Sequence, residues 1–209
     1  MKITKVIDRV FHVNCNTQRE LTQLFIRLEE HYESPQFKGK IFTLGEYRAW
    51  YAKEYGAWTY YTDWDGFNIP GSGTVPFRTG LFDPLSAEEK LLLGLIPHQM
   101  EEYYIIGTYG NDTETLDHEI AHAMYSIDPE YKSEVNRIIQ QYKLKELKTF
   151  LLSMGYHKDV LNDECNAYLA INADYLDKEE VSYSKKLASK LNKLYTTYYS
   201  KITKKEGRK

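Results

Sequence analysis

The sequence predicts an α+β fold with a small mixed β-sheet and a histidine-bearing helix in its N-terminal part (1–126) and a mostly helical C-terminal part (127–209). Three observations carry this. Strand-like and helix-like stretches are interleaved up to residue 109, and from there the pattern is helical to the end. A length of 209 residues fits one sizeable domain, so both parts are expected to belong to a single one. Hydrophobic residues at 42% and charged ones at 27% are ordinary for a globular chain.

Residues 2 to 13, rich in β-branched and aromatic residues, read as an opening strand. Thr17 is placed to cap a helix running to about His31, stopped by "SPQ". "TLGEYRAWYAKEYG" offers a capping box, Thr43 with Glu46, and a terminating Gly56. Residues 57 to 84 break into aromatic strand-like pieces and turns, and Ser86 with Glu89 opens a short helix. "EEYYIIGTY", 101 to 109, is the strongest strand pattern, ended by "GND". Helices follow near 113–126, 129–153, 158–174 and 179–203. Asp128-Pro129 starts the second of these by putting Pro at the first helical position, and Gly155 closes it. Leu187, Leu191, Leu194, Tyr195 and Tyr198 align on one face of the last helix, a stripe expected to dock on the body.

A formal charge of −3 gives no reason to expect a nucleic-acid or anionic-membrane partner, and the basic "KITKKEGRK" reads as a frayed, solvated tail. Cys15 and Cys165 imply no disulfide framework. The N-terminus lacks the apolar run of a secretory signal, and nothing approaches the roughly 18 to 20 apolar residues of a membrane span. A cytoplasmic location is expected. The nineteen tyrosines suggest either a core with many hydroxyl anchors or compositional drift, and drift is the simpler reading.

"TETLDHEIAHAMYSIDPE", 113 to 130, places two histidines four apart with a glutamate after the first. With His118 at 0° on a helix, His122 falls at about 40° and Glu119 at about 100°. Leu116, Ile120, Ala123 and Met124 fall between roughly 140° and 240°, an apolar back to a His/Glu front. Two imidazoles so placed supply two vertices of a tetrahedral zinc site. Glu119 is too close along the helix to join the same ion comfortably and is placed instead to accept a proton from a water the ion activates.

A catalytic zinc usually has three protein ligands. After His122 the candidates are Glu146, His157, Asp159, Asp163, Glu164 and Asp174. In the helix 158–174 the apolar stripe is Leu161, Cys165, Tyr168 and Leu169. Glu164 projects inside it and Asp163 points to the opposite, polar side. A carboxylate on a buried face needs a partner, whether a metal ion or a buried Lys or Arg.

"HEIAH" followed by a glutamate on a later helix, within "NDECNAY", resembles the gluzincin branch of the HExxH, or zincin, metallopeptidases. The resemblance spans residues 100 to 174. It implies Zn²⁺ held by His118, His122 and Glu164, with Ala167 the small residue a turn further on. It implies Glu119 as general base in the hydrolysis of a peptide or protein substrate. It also implies a substrate-pairing strand, for which "EEYYIIGTY" is the candidate, though an interior strand explains that stretch equally. His157 and Tyr168 are candidate donors to the oxyanion, and Asp117 and Asn166 candidate supports for an imidazole. The absence of a further His or Gly in "HEIAHAMYSIDPE" speaks against the histidine-ligand branch.

Other signals fall away. "DWDGFN" resembles a calcium loop, but Thr74 stands where a bidentate Glu is required. "GSG" at 71–73 lacks the Lys of a phosphate loop, and His12, His31 and His98 stand alone. Cys165, beside Glu164, fits a packed apolar thiol better than a ligand. Two alternatives to a peptidase remain: a zinc-binding regulatory or interaction protein of the same fold without turnover, and a metal-free α+β interaction domain.

Overall fold

The computed structural model describes residues 1–96 and 102–206; His98 and Glu101, the first residue of the predicted strand, lie outside them. The chain divides into two compact units, Met1–Asp112 and Thr113–Lys209, so the HExxH helix opens the second unit rather than closing the first. The α+β class and the small mixed sheet are as expected.

In the first unit the predicted opening strand is a hairpin. β1 (Lys2–Ile7) turns at Asp8-Arg9 into β2 (Val10–Cys15), with Arg9 in the left-handed region at φ 63°. α1 (Gln18–Tyr32) is capped by the Thr17 side chain, which accepts from the Glu20 N–H. α2 (Leu44–Tyr55) carries the Thr43/Glu46 capping box and ends at Gly56, φ 82°. The 57–84 stretch resolves into β3 (Gly66–Pro70), the short α3 (Val75–Arg78) and turns. α4 (Ala87–Leu95) carries the Ser86/Glu89 box, and β4 (Tyr104–Tyr109) completes a sheet of order β1-β2-β4-β3. β2 and β4 run parallel and the other pairs antiparallel.

α1 buries Leu21, Leu24, Phe25 and Leu28. It approaches β4 closely because Gly107 has no side chain; a Cβ there would stand 2.6 Å from Phe25 Cε2 and 2.7 Å from Leu21 Cδ1. Gly107→Ala is therefore expected to destabilise this unit by about 1–3 kcal/mol through overpacking, read as a lower denaturation midpoint at unchanged slope. A change under about 0.5 kcal/mol would show that Phe25 and Leu21 give way freely. α1 and α4 are tied by a buried ion pair. Arg27 Nε donates to Glu89 Oε1 at 2.6 Å, and Arg27 Nη2 donates to Glu89 Oε2.

The second unit is helical: α5 (Thr113–Ile127), α6 (Pro129–Ile139), α7 (Lys145–Ser153), α8 (Leu161–Ala170), α9 (Ala173–Lys178) and α10 (Lys185–Glu206). Asp128 caps α6 through the N–H groups of Glu130 and Tyr131, with Pro129 at its first position. Two predicted helices are each two. The 129–153 helix breaks at 140–144, where the backbone closes as tight turns such as Tyr142 N–H to Ile139 O. The 158–174 helix breaks at Ile171-Asn172. α10 reaches Glu206, so the basic tail read as frayed is helical to that point, and residues 207–209 lie outside the described ones.

α8 is the hub of this unit, lying against each of α5, α6, α7, α9 and α10. The α10 stripe docks as expected, with Leu187, Leu191, Tyr195 and Tyr198 buried. Tyrosines here act as hydroxyl anchors rather than drift. Tyr131 donates to Asn166 Oδ1 at 3.0 Å, Tyr125 to Asn136 Oδ1 at 3.0 Å and Tyr195 to Asp117 Oδ1 at 3.2 Å. Among the described residues, no helix is long and apolar enough to cross a membrane.

Candidate metal centre

Every residue of the predicted constellation lies on α5 or α8, inside the second unit. α5 presents His118 and His122 one turn apart, and its back, Ile120, Ala123 and Met124, is buried. α8 brings Glu164 to the same point. One ligand atom each from His118, His122 and Glu164 lies within 4.8 Å of the others, the one such group among the described residues. His118 Nε2 and His122 Nε2 are 3.1 Å apart, and Glu164 Oε2 is 3.7 Å from His122 Nε2. Glu164 and His122 are 2% and 3% exposed. What faces the Glu164 carboxylate is the His122 imidazole.

Both imidazoles are held from behind. Asp163 Oδ1 is 2.9 Å from His122 Nδ1, and Asn172 Oδ1 is 2.5 Å from His118 Nδ1. A carboxylate and a carbonyl oxygen only accept, so each Nδ1 carries the hydrogen and each Nε2 is left with a lone pair. Two lone pairs at 3.1 Å beside a buried carboxylate repel unless a positive charge stands among them. Burial alone would push His122 down, but the carboxylates of Asp163, Glu164 and Glu119 outweigh it and hold its pKa well above the ordinary histidine value. Burial, and then the neighbouring His122, push His118 down to about 3.

The donor set fits zinc. Nitrogens about 2.0–2.1 Å from a tetrahedral ion stand about 3.3 Å apart, close to the spacing found here. Glu119, 6% exposed, contributes no atom to the three-ligand group yet is close enough to act on His122, as the 100° offset requires.

Several expectations need correction. Asp163 does not point away to a polar side: its side chain turns to His122 and is 21% exposed. Asp117 and Asn166 support no imidazole; they accept from Tyr195 and Tyr131. The residues that do hold the rings, Asp163 and Asn172, were not recognised in that role. His157 lies beside Asp159, its Nδ1 at 3.3 Å, and takes no part in the cluster. Tyr168 does reach it, its ring edge-on to His118 at 4.9 Å and its hydroxyl 3.2 Å from that of Tyr156. Cys165 is a packed thiol, pushed up to about 12 chiefly by burial. Glu146, Asp159 and Asp174 lie outside the ligand group.

No family model, no curated protein and no solved structure matches this chain.

Proposed function

We propose that this chain is a zinc-dependent metallopeptidase of gluzincin-like arrangement, with His118, His122 and Glu164 as ligands and Glu119 as general base. The observation that carries the reading is the two Nε2 atoms brought to 3.1 Å of one another beside Glu164, with Glu119 close by but outside the ligand group. A purely structural site has no use for such a carboxylate and is usually closed by a fourth protein ligand.

Zinc, when bound, supplies a Lewis acid that activates water and polarises a substrate carbonyl. The chain's own residues do the rest. Asp163 and Asn172 fix the imidazoles so that both Nε2 atoms face the centre. Glu119 takes a proton from the attacking water and returns it to the leaving amine. Tyr168, whose ring lies edge-on to His118, is the residue we assign as donor to a developing oxyanion.

One observation favours a second reading. His122, Glu164 and Glu119 are all buried and only His118 is partly open, which suits a zinc-binding regulatory or interaction protein without turnover.

The test is zinc per chain in protein purified without chelator, together with cleavage of an unstructured protein such as casein. About one zinc in wild type, lost in His118→Ala and Glu164→Ala, with chelator-sensitive cleavage, is the expected result. Zinc without cleavage selects the second reading. Folded wild type that takes up no added zinc defeats both.

A further inference from the structure

We propose that Glu114 is a positioning residue for the metal centre: through Asn172 it sets the tautomer of His118. The proposal rests on the zinc reading for its purpose but not for its geometry. Asn172 Nδ2 donates to Glu114 Oε1 at 2.7 Å, while Asn172 Oδ1 faces His118 Nδ1 at 2.5 Å.

An amide side chain has a donor end and an acceptor end of nearly the same shape, so something must choose which end faces the ring. Here the choice is made on the far side. A carboxylate only accepts, so Glu114 takes the NH₂ end and leaves the oxygen for His118. His118 then carries its hydrogen on Nδ1, and Nε2 is free to bind a metal. A donor at position 114 would reverse every step. The amide oxygen would turn outward, its NH₂ would meet Nδ1, and the ring hydrogen would move to Nε2, where it blocks coordination.

A second observation agrees. Asn172 stands just before α9, where an asparagine ordinarily caps the helix with its own side chain, yet it makes no such bond. The side chain is committed instead to His118 and Glu114. Glu114 is also four residues before His118 on α5, so both ends of the relay are fixed to the same helix.

The experiment compares wild type, Glu114→Gln and Glu114→Lys by two measurements. One is Zn²⁺ affinity by competition with a chelator. The other is the His118 tautomer in metal-free protein, from ¹⁵N ring shifts. Glutamine can still present an oxygen and is expected to keep the Nδ1–H tautomer and hold affinity within about threefold. Lysine is expected to move His118 to the Nε2–H form and weaken zinc by about 10- to 100-fold. An unchanged tautomer in Glu114→Lys overturns the relay even if affinity falls, because the added charge alone accounts for that fall. Wild type that binds no zinc defeats the metallopeptidase reading, while the tautomer measurement still decides the relay.

Discussion

Glu119→Gln is expected to leave zinc content unchanged and to lower peptide hydrolysis by about 10²- to 10⁴-fold, the range spanned by loss of a positioned general base. The substitution keeps size and shape but removes the proton acceptor. Because Glu119 contributes no atom to the three-ligand group, metal loading has no reason to fall. Because it is buried beside His122, its contribution is concentrated where the proton must move. Metal stoichiometry and turnover measured on one preparation decide the matter. Loss of zinc together with activity would make Glu119 a structural member of the site. Full activity without it would remove it from the mechanism.

Glu89→Ala is expected to cost about 3–5 kcal/mol in the first unit, the penalty for leaving a buried charge without its partner. Arg27 and Glu89 side chains are 8% and 3% exposed, and Glu89 Oε2 also accepts from the Ser86 N–H that opens α4. One truncation thus takes the carboxylate from a buried guanidinium and removes one half of the capping box of α4, the Ser86 hydroxyl still accepting from the N–H of residue 89. The double change Arg27→Met with Glu89→Leu should recover much of the loss, since no charge is then left behind. Denaturant unfolding reads both. A cost under about 1 kcal/mol for Glu89→Ala would mean that water reaches Arg27 readily.

The parts of this structure that sequence conveyed are those set by local rules. Thr43 with Glu46 and Ser86 with Glu89 are capping boxes wherever they precede a helix, and both formed. The front of α5 follows from helical spacing alone. Glu164 stands out by contradiction, an acid inside an apolar stripe, and it is buried beside His122. Asp163 was missed because a helical wheel gives each residue one direction, while an imidazole has two nitrogens on different edges. Neighbouring acids on one turn can meet both, so the "DE" pair itself was the available signal. Asn172 was missed because the helix was carried through 171–172; its poor helix propensity was the only hint of a break there. The Asp8-Arg9 turn lacks the glycine that marks tight hairpins, so two strands read as one. Nothing in residues 140–144 punctuates the chain, and that break comes from packing rather than from any local preference.

The distribution of ligands along the chain has a mechanical consequence. His122 and Glu164 are separated by about 40 residues that carry α6 and α7, so an ion bound to both closes a long covalent loop as a disulfide would. By the loop-entropy relation for crosslinks, such closure removes about 4 kcal/mol of freedom from the unfolded chain. Zinc in this position would be a clasp as well as a reagent: its departure would slacken the seam between α5 and α8, and metal supply would set how long the helical unit survives as well as how fast it works.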